Sequence, residues 1–189
     1  IYLPNLTFAI TGENTVCSST VQTYSVPFTE AESYLWSVVT PGGLSSTAGS
    51  ISSGNGTPNV TVQWNLFPVT TTAVLKLTFI KCGTTFARTF PVTIVPGYTL
   101  NLNSLASVCR GTAIYPTLQN PPATFTTISW DFGDGSPAMV LNASDPNALT
   151  PSYTYPPVSS ATATPNNYTI VVKIEGANGC IATAMGYTN

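Results

Sequence analysis

Apolar and polar residues alternate along most of this chain. Val60, Val62 and Trp64 are interleaved with Thr61, Gln63 and Asn65, so an extended backbone would have one dry face and one wet face. Residues 74–80 and 168–174 are longer runs rich in β-branched and aromatic side chains, and they predict the two longest strands. Lys81-Cys82-Gly83 and Gly176-Ala177-Asn178-Gly179-Cys180 follow these runs and read as hairpin connections into a final strand. Apolar residues do not recur at three- and four-residue intervals, and 16 prolines are scattered through the sequence. Proline stops helices and marks strand edges, so the pattern predicts an all-β chain.

The pattern also repeats. Leu3-Pro4 leads to Val16-Cys17, and Val95-Pro96 leads to Val108-Cys109; a tryptophan (Trp36, Trp130) and then a second cysteine (Cys82, Cys180) follow in each copy. A period near 92 residues, Pro4 to Pro96, is too long for a solenoid turn and suits small domains in tandem. Residues 1–96 and 97–189 are the expected domains, with Pro96-Gly97 at a short, stiff boundary. About seven short strands per copy, with a Cys…Trp…Cys order, describe immunoglobulin-like β-sandwiches. The tryptophans Trp36, Trp64 and Trp130 are the candidate core anchors, Trp36 and Trp130 on a central strand, and the first cysteine of each copy falls near the start of the second strand. Both ends look cut, with the next repeat's proline due a few residues beyond Asn189, so the expected parent is longer.

Four cysteines allow three pairings, and the repeat favours Cys17–Cys82 with Cys109–Cys180, one bridge per domain. Each would close a ring of roughly 65 to 72 residues, worth about 4 kcal/mol by chain entropy. Paired cysteines imply an oxidising, extracellular compartment. Zinc is disfavoured, because the chain has no histidine and no Cys-x-x-Cys pair.

Charge changes the picture further. Charged residues are 6% of the chain, and five cations against seven carboxylates leave a net charge of −2. No basic patch exists to neutralise phosphates, which excludes nucleic acid as the expected partner. No run of eighteen apolar residues appears, so this segment is not expected to insert in a membrane. Acyl transfer lacks a base, since no histidine can activate any serine. Glu30 and Glu32 flank Ala31 and would share one face of an extended segment, as a carboxylate pair for glycoside hydrolysis requires. Their position in a loop between strands favours a solvated turn, and no enzyme is expected. Tyr24, Tyr34, Tyr98, Tyr115, Tyr153, Tyr155 and Tyr168 could stack on sugars, although sandwich cores consume aromatics at this density. Asn5, Asn55, Asn59, Asn142 and Asn167 each open an N-x-Ser/Thr triplet, which would matter only in a eukaryotic receptor ectodomain.

Ser129-Trp130-Asp131-Phe132-Gly133-Asp134-Gly135 resembles the signature of the PKD (polycystic kidney disease) domain, a β-sandwich of surface proteins. The later segments Pro151-Ser152-Tyr153-Thr154-Tyr155-Pro156 and Tyr168-Thr169-Ile170-Val171-Val172 match that family's next landmarks in order. Physically, Gly133 and Gly135 can supply positive φ in a tight turn, and Asp131 and Asp134 can accept backbone N–H bonds across it. The first copy departs from the signature. Tyr34-Leu35-Trp36-Ser37, a Gly-rich stretch through Gly54-Asn55-Gly56, and Val62-Gln63-Trp64 are similar to the PKD-like variant of large secreted surface proteins of Bacteroidota. The resemblance implies a segment of a long adhesin exported by the type IX system, of the kind used in surface filaments and gliding. Expected partners are neighbouring repeats, other protein chains in a filament, or surface glycans. The alternative is an accessory carbohydrate- or protein-binding module of a secreted hydrolase. No cofactor is expected. Calcium on Asp131 and Asp134 is the weaker reading of that turn, because further acidic ligands are lacking.

Overall fold

The computed structural model describes residues 8–27, 30–103, 105, 111–156 and 168–188. The described residues form strands and turns with no helix, and the chain divides into two compact units, Ile1–Gly97 and Tyr98–Asn189.

Unit 1 contains β1 (Thr15–Cys17), β2 (Val21–Ser25), β3 (Ser33–Val39), β4 (Gly49–Ser53), β5 (Asn59–Trp64), β6 (Thr71–Lys81) and β7 (Thr84–Val95). They make a four-stranded sheet in the order β1-β7-β6-β3 and a three-stranded sheet in the order β2-β5-β4. β1 runs parallel to β7, and the remaining pairs are antiparallel. This is the strand arrangement of an immunoglobulin-like sandwich. Alternation produces it directly: on β6, Ala73, Leu75, Leu77 and Phe79 point inward and are buried, while the residues between them face outward. Tyr24, Trp36, Trp64 and Ile94 close the same core from the other strands. Trp36 lies on β3, at the end of the four-stranded order rather than on a central strand.

Unit 2 contains β8 (Asn101–Leu102), β9 (Ala113–Ile114), β10 (Leu118–Gln119), β11 (Phe125–Asp131), β12 (Met139–Asn142), β13 (Tyr153–Thr154), β14 (Tyr168–Gly176) and β15 (Ile181–Thr188). Its main sheet has the order β12-β11-β14-β15, and β10-β8 and β13-β9 form two further short sheets. Ile128, Trp130, Phe132, Ile170, Val172 and Ile174 fill the core. Trp130 sits on β11, between β12 and β14.

The expected Cys17–Cys82 bridge is not formed. Cys17 and Cys180 are each disulfide-bonded, whereas Cys82 is a free, exposed thiol, and Cys109 lies outside the described residues. A Cys17–Cys82 bridge is ruled out by the length of the β6–β7 hairpin. Cys17 pairs with Val95 at the base of β7, and Cys82 sits at the hairpin's tip, the far end of that 12-residue strand. At about 3.3 Å per residue the two are separated by roughly 35 Å or more, against about 7 Å at most between bridged Cα atoms. Cys82 and Gly83 both have positive φ, at 50° and 68°, as a two-residue turn between twisted strands requires. Cys17 also lies at the end of β1, ahead of β2, rather than near the start of the second strand.

A prediction follows from this placement. Cys17→Ser should lower stability by about 2–5 kcal/mol. Cys82→Ser should change it by no more than about 0.5 kcal/mol, because the thiol touches no core. Denaturant midpoints of the two variants measure the difference.

Candidate functional site

In unit 2 the segment following Trp130 folds into a closed polar and aromatic turn. Asp131 Oδ1 accepts a hydrogen bond from the Gly133 N–H at 2.9 Å, an Asx turn made by the side chain over its own backbone. Asp134 is the hub. Its Oδ1 accepts from the Ser136 N–H at 3.0 Å and from the Ser136 hydroxyl at 2.6 Å, and its Oδ2 accepts from the Tyr153 hydroxyl at 2.7 Å. The Tyr155 hydroxyl donates to the Phe132 carbonyl at 3.0 Å, and the Trp130 indole N–H donates to the Ala148 carbonyl at 2.9 Å.

Rings complete the closure. Phe132 and Tyr153 are stacked with centroids 3.7 Å apart, Tyr153 meets Tyr155 edge-on at 5.2 Å, and Tyr155 stacks on Tyr168 at 4.2 Å. Three separate stretches of sequence, around Asp131, Tyr153 and Tyr168, therefore meet at one place. Gly133 has φ +74°, and a Cβ there would lie 2.4 Å from the Thr169 carbonyl oxygen; Gly135 has φ +84° with open space around it. Both need glycine's backbone freedom, but only Gly133 also needs its missing side chain.

The electrostatics follow from these contacts. Partial burial alone would raise the Asp134 carboxyl, but hydrogen bonds from Ser136 and Tyr153 outweigh it and hold the group below its ordinary value. Burial, with Asp134 alongside, pushes the Tyr153 and Tyr155 hydroxyls up. Because folding depresses the Asp134 pKa, its contribution is fully present above the unfolded value near 3.8 and is lost as pH falls through the folded one. Asp134→Asn should therefore cost about 1 kcal/mol at neutral pH and flatten the acid side of the stability profile. Urea midpoints between pH 2 and 6 check both.

Unit 1 solves the same problem with a Gly-rich hairpin. The Trp36 indole N–H donates to the Thr57 carbonyl at 2.9 Å, and the Trp36 backbone N–H donates to Asn55 Oδ1 at 2.9 Å. Gly54 has φ +81°, and a Cβ there would lie 2.2 Å from the Asn59 carbonyl oxygen. The sequence singles out Asn55 only as an N-x-Ser/Thr acceptor, and Thr57 not at all. The signal was the Gly54-Asn55-Gly56-Thr57 string, in which an Asn between two flexible residues can reach a neighbouring strand. Deeper in this unit, burial pushes the Tyr24 hydroxyl up to about 12; the Trp64 indole beside it lowers it in part, without the geometry of a full hydrogen bond.

The other candidates are dispersed. Glu30 pairs with Lys81 at 3.0 Å, and Glu32 Oε1 accepts from the Gly83 N–H at 3.3 Å, so the two carboxylates brace the β6–β7 tip. Tyr24, Tyr34 and Tyr155 are buried, Tyr98, Tyr153 and Tyr168 are half-buried, and Tyr115 is 59% exposed. Asn55, Asn59 and Asn142 are exposed, whereas Asn5 and Asn167 lie outside the described residues. Among the described residues no three acidic, cysteine or histidine side chains gather as metal ligands. The Asp134 oxygens are instead occupied by protein donors.

Several solved structures are similar to the chain. A chimeric titin Z1Z2 functionalised with a KLER peptide from decorin shares 14% identity, with 96% of each chain covered and a TM-score of 0.33. The I67–I69 I-band fragment of titin shares 13%, covering 97% of this chain and 64% of that one, with a TM-score of 0.32. The FN1–FN3 domains of chicken CNTN1 share 9%, covering 98% and 68%, with a TM-score of 0.41. No curated protein matches the chain. Residues 3–92, nearly the whole of unit 1, match the family model of the PKD-like domain.

Proposed function

We propose that the chain is a structural and adhesive repeat segment of a long secreted cell-surface protein, serving as a spacer and display module. The observation that carries this reading is the PKD-like match over residues 3–92. Two further features support it. Disulfide-bonded Cys17 and Cys180 suit an oxidising exterior. The polar side chains of both tryptophan-capping turns are spent on closing their own loops, leaving Asp131, Asp134 and Asn55 as braces. A PKD domain in unit 2, and membership of a gliding-type adhesin of Bacteroidota, extend the same proposal on the DFGDG resemblance. Antibodies against residues 1–189 should label intact source cells; labelling only after permeabilisation would sink the proposal.

The exposed Tyr115 favours a second reading, an accessory module that holds carbohydrate for a hydrolase. Saturable polysaccharide binding, abolished by Tyr115→Ala, would establish that reading instead.

A further inference from the structure

One sheet face in unit 2 gathers large apolar side chains. Strand β15 turns Ile181, Met185 and Tyr187 outward, at 55, 62 and 64% exposure. On β14 beside them, Val171 pairs with Met185, Lys173 with Thr183, and Glu175 with Ile181. The corresponding final strand of unit 1, β7, turns Ala87, Thr89, Pro91 and Thr93 outward. Elsewhere on the described strands large apolar residues stand exposed one at a time, Val21 on β2, Leu35 on β3 and Val140 on β12, whereas β15 lines up three.

The chemistry of the face specifies its occupant. A partner must cover an apolar stripe, offer an anion to Lys173 and offer a cation to Glu175. These two residues are exposed and lie two positions apart on β14. A two-fold axis passing between them lays β14 antiparallel over its own copy, sets each Lys173 against the other chain's Glu175, and runs one β15 stripe along the other. The face is its own complement. With a net charge of −2 on 189 residues, little long-range repulsion opposes the approach.

We propose that the outer face of the β14–β15 pair is a contact surface between two copies of this chain, related by a two-fold axis between Lys173 and Glu175. The proposal does not depend on the adhesive reading. It is tested by sedimentation equilibrium on the full chain carrying Cys82→Ser, with a non-reducing gel run alongside so that any thiol-coupled species is seen and discounted. The parent should show a concentration-dependent dimer. Met185→Glu should weaken it about tenfold or more, as should Lys173→Glu or Glu175→Lys alone. An equimolar mixture of the Lys173→Glu and Glu175→Lys chains should associate more tightly than either by itself, and the double exchange should restore self-association. Thermal melts confirm that each variant is folded, which these exposed positions permit. A parent that stays monomeric, a Met185→Glu chain that dimerises unchanged, or a charge-swapped mixture no tighter than its components overturns the proposal. So does a monomer that adsorbs to phosphatidylcholine vesicles, which would assign the stripe to a lipid surface.

Discussion

Trp130→Ala should destabilise unit 2 by about 3–5 kcal/mol, against a total near 5–14 kcal/mol for a unit of this size. The indole is fully buried between the sheets, so its removal leaves a cavity that the surrounding Ile128, Ile170 and Val172 cannot fill without moving backbone. The substitution also strands the Ala148 carbonyl, which accepts the indole N–H. Trp130→Phe separates the two contributions. It keeps most of the ring but deletes the donor, and should cost about 1–3 kcal/mol. Hydrogen exchange gives the readout: in the alanine variant, amides of β11, β14 and β15 should lose protection while those of β6 and β7 keep theirs. Equal loss in both sets would show that the two cores do not melt separately.

Gly133→Ala and Gly135→Ala form the second contrast. Both glycines have positive φ, so each alanine meets the same left-handed penalty of about 1–2 kcal/mol. Only at Gly133 does the new Cβ collide with backbone, at 2.4 Å from the Thr169 oxygen and 3.0 Å from its nitrogen. Relieving that contact means prising the turn away from β14, where the Phe132–Tyr153 and Tyr155–Tyr168 stacks close. Gly133→Ala should therefore cost about 3 kcal/mol or more, and Gly135→Ala about 1 kcal/mol. Chemical denaturation of the pair settles it; equal costs would mean that the Thr169 contact relaxes freely.

These contrasts show which features could be read from residue order. The strands were legible because inward positions recur with period two: Ala73, Leu75, Leu77 and Phe79 are apolar whatever the rest of the fold does. The hairpin turns were legible because Cys82-Gly83 and Asn178-Gly179 follow long alternating runs. The fate of Cys82 was not. Its pairing depended on hairpin length and register, which set the tip far from Cys17, and no local pattern records that distance. The position of Trp36 at the end of its sheet was hidden for the same reason, since strand order is a long-range property. The Asp134–Ser136–Tyr153 cluster was half visible. Its aspartate and its tyrosine each stand in a noticeable motif, but their meeting requires the chain to return 17 to 19 residues later. The exposure of Tyr187 is not legible in the sequence, because alternation cannot say which face of an edge strand meets solvent.

The displacement of the shifted groups away from neutrality has a practical outcome. The chain has no histidine, the Asp134 carboxyl is held down, and the Tyr24 hydroxyl is pushed up to about 12. Between roughly pH 5 and 8 these groups then take up or release almost no protons on folding. Their share of the stability should be level across that interval, indifferent to whether the surroundings are mildly acidic or mildly alkaline.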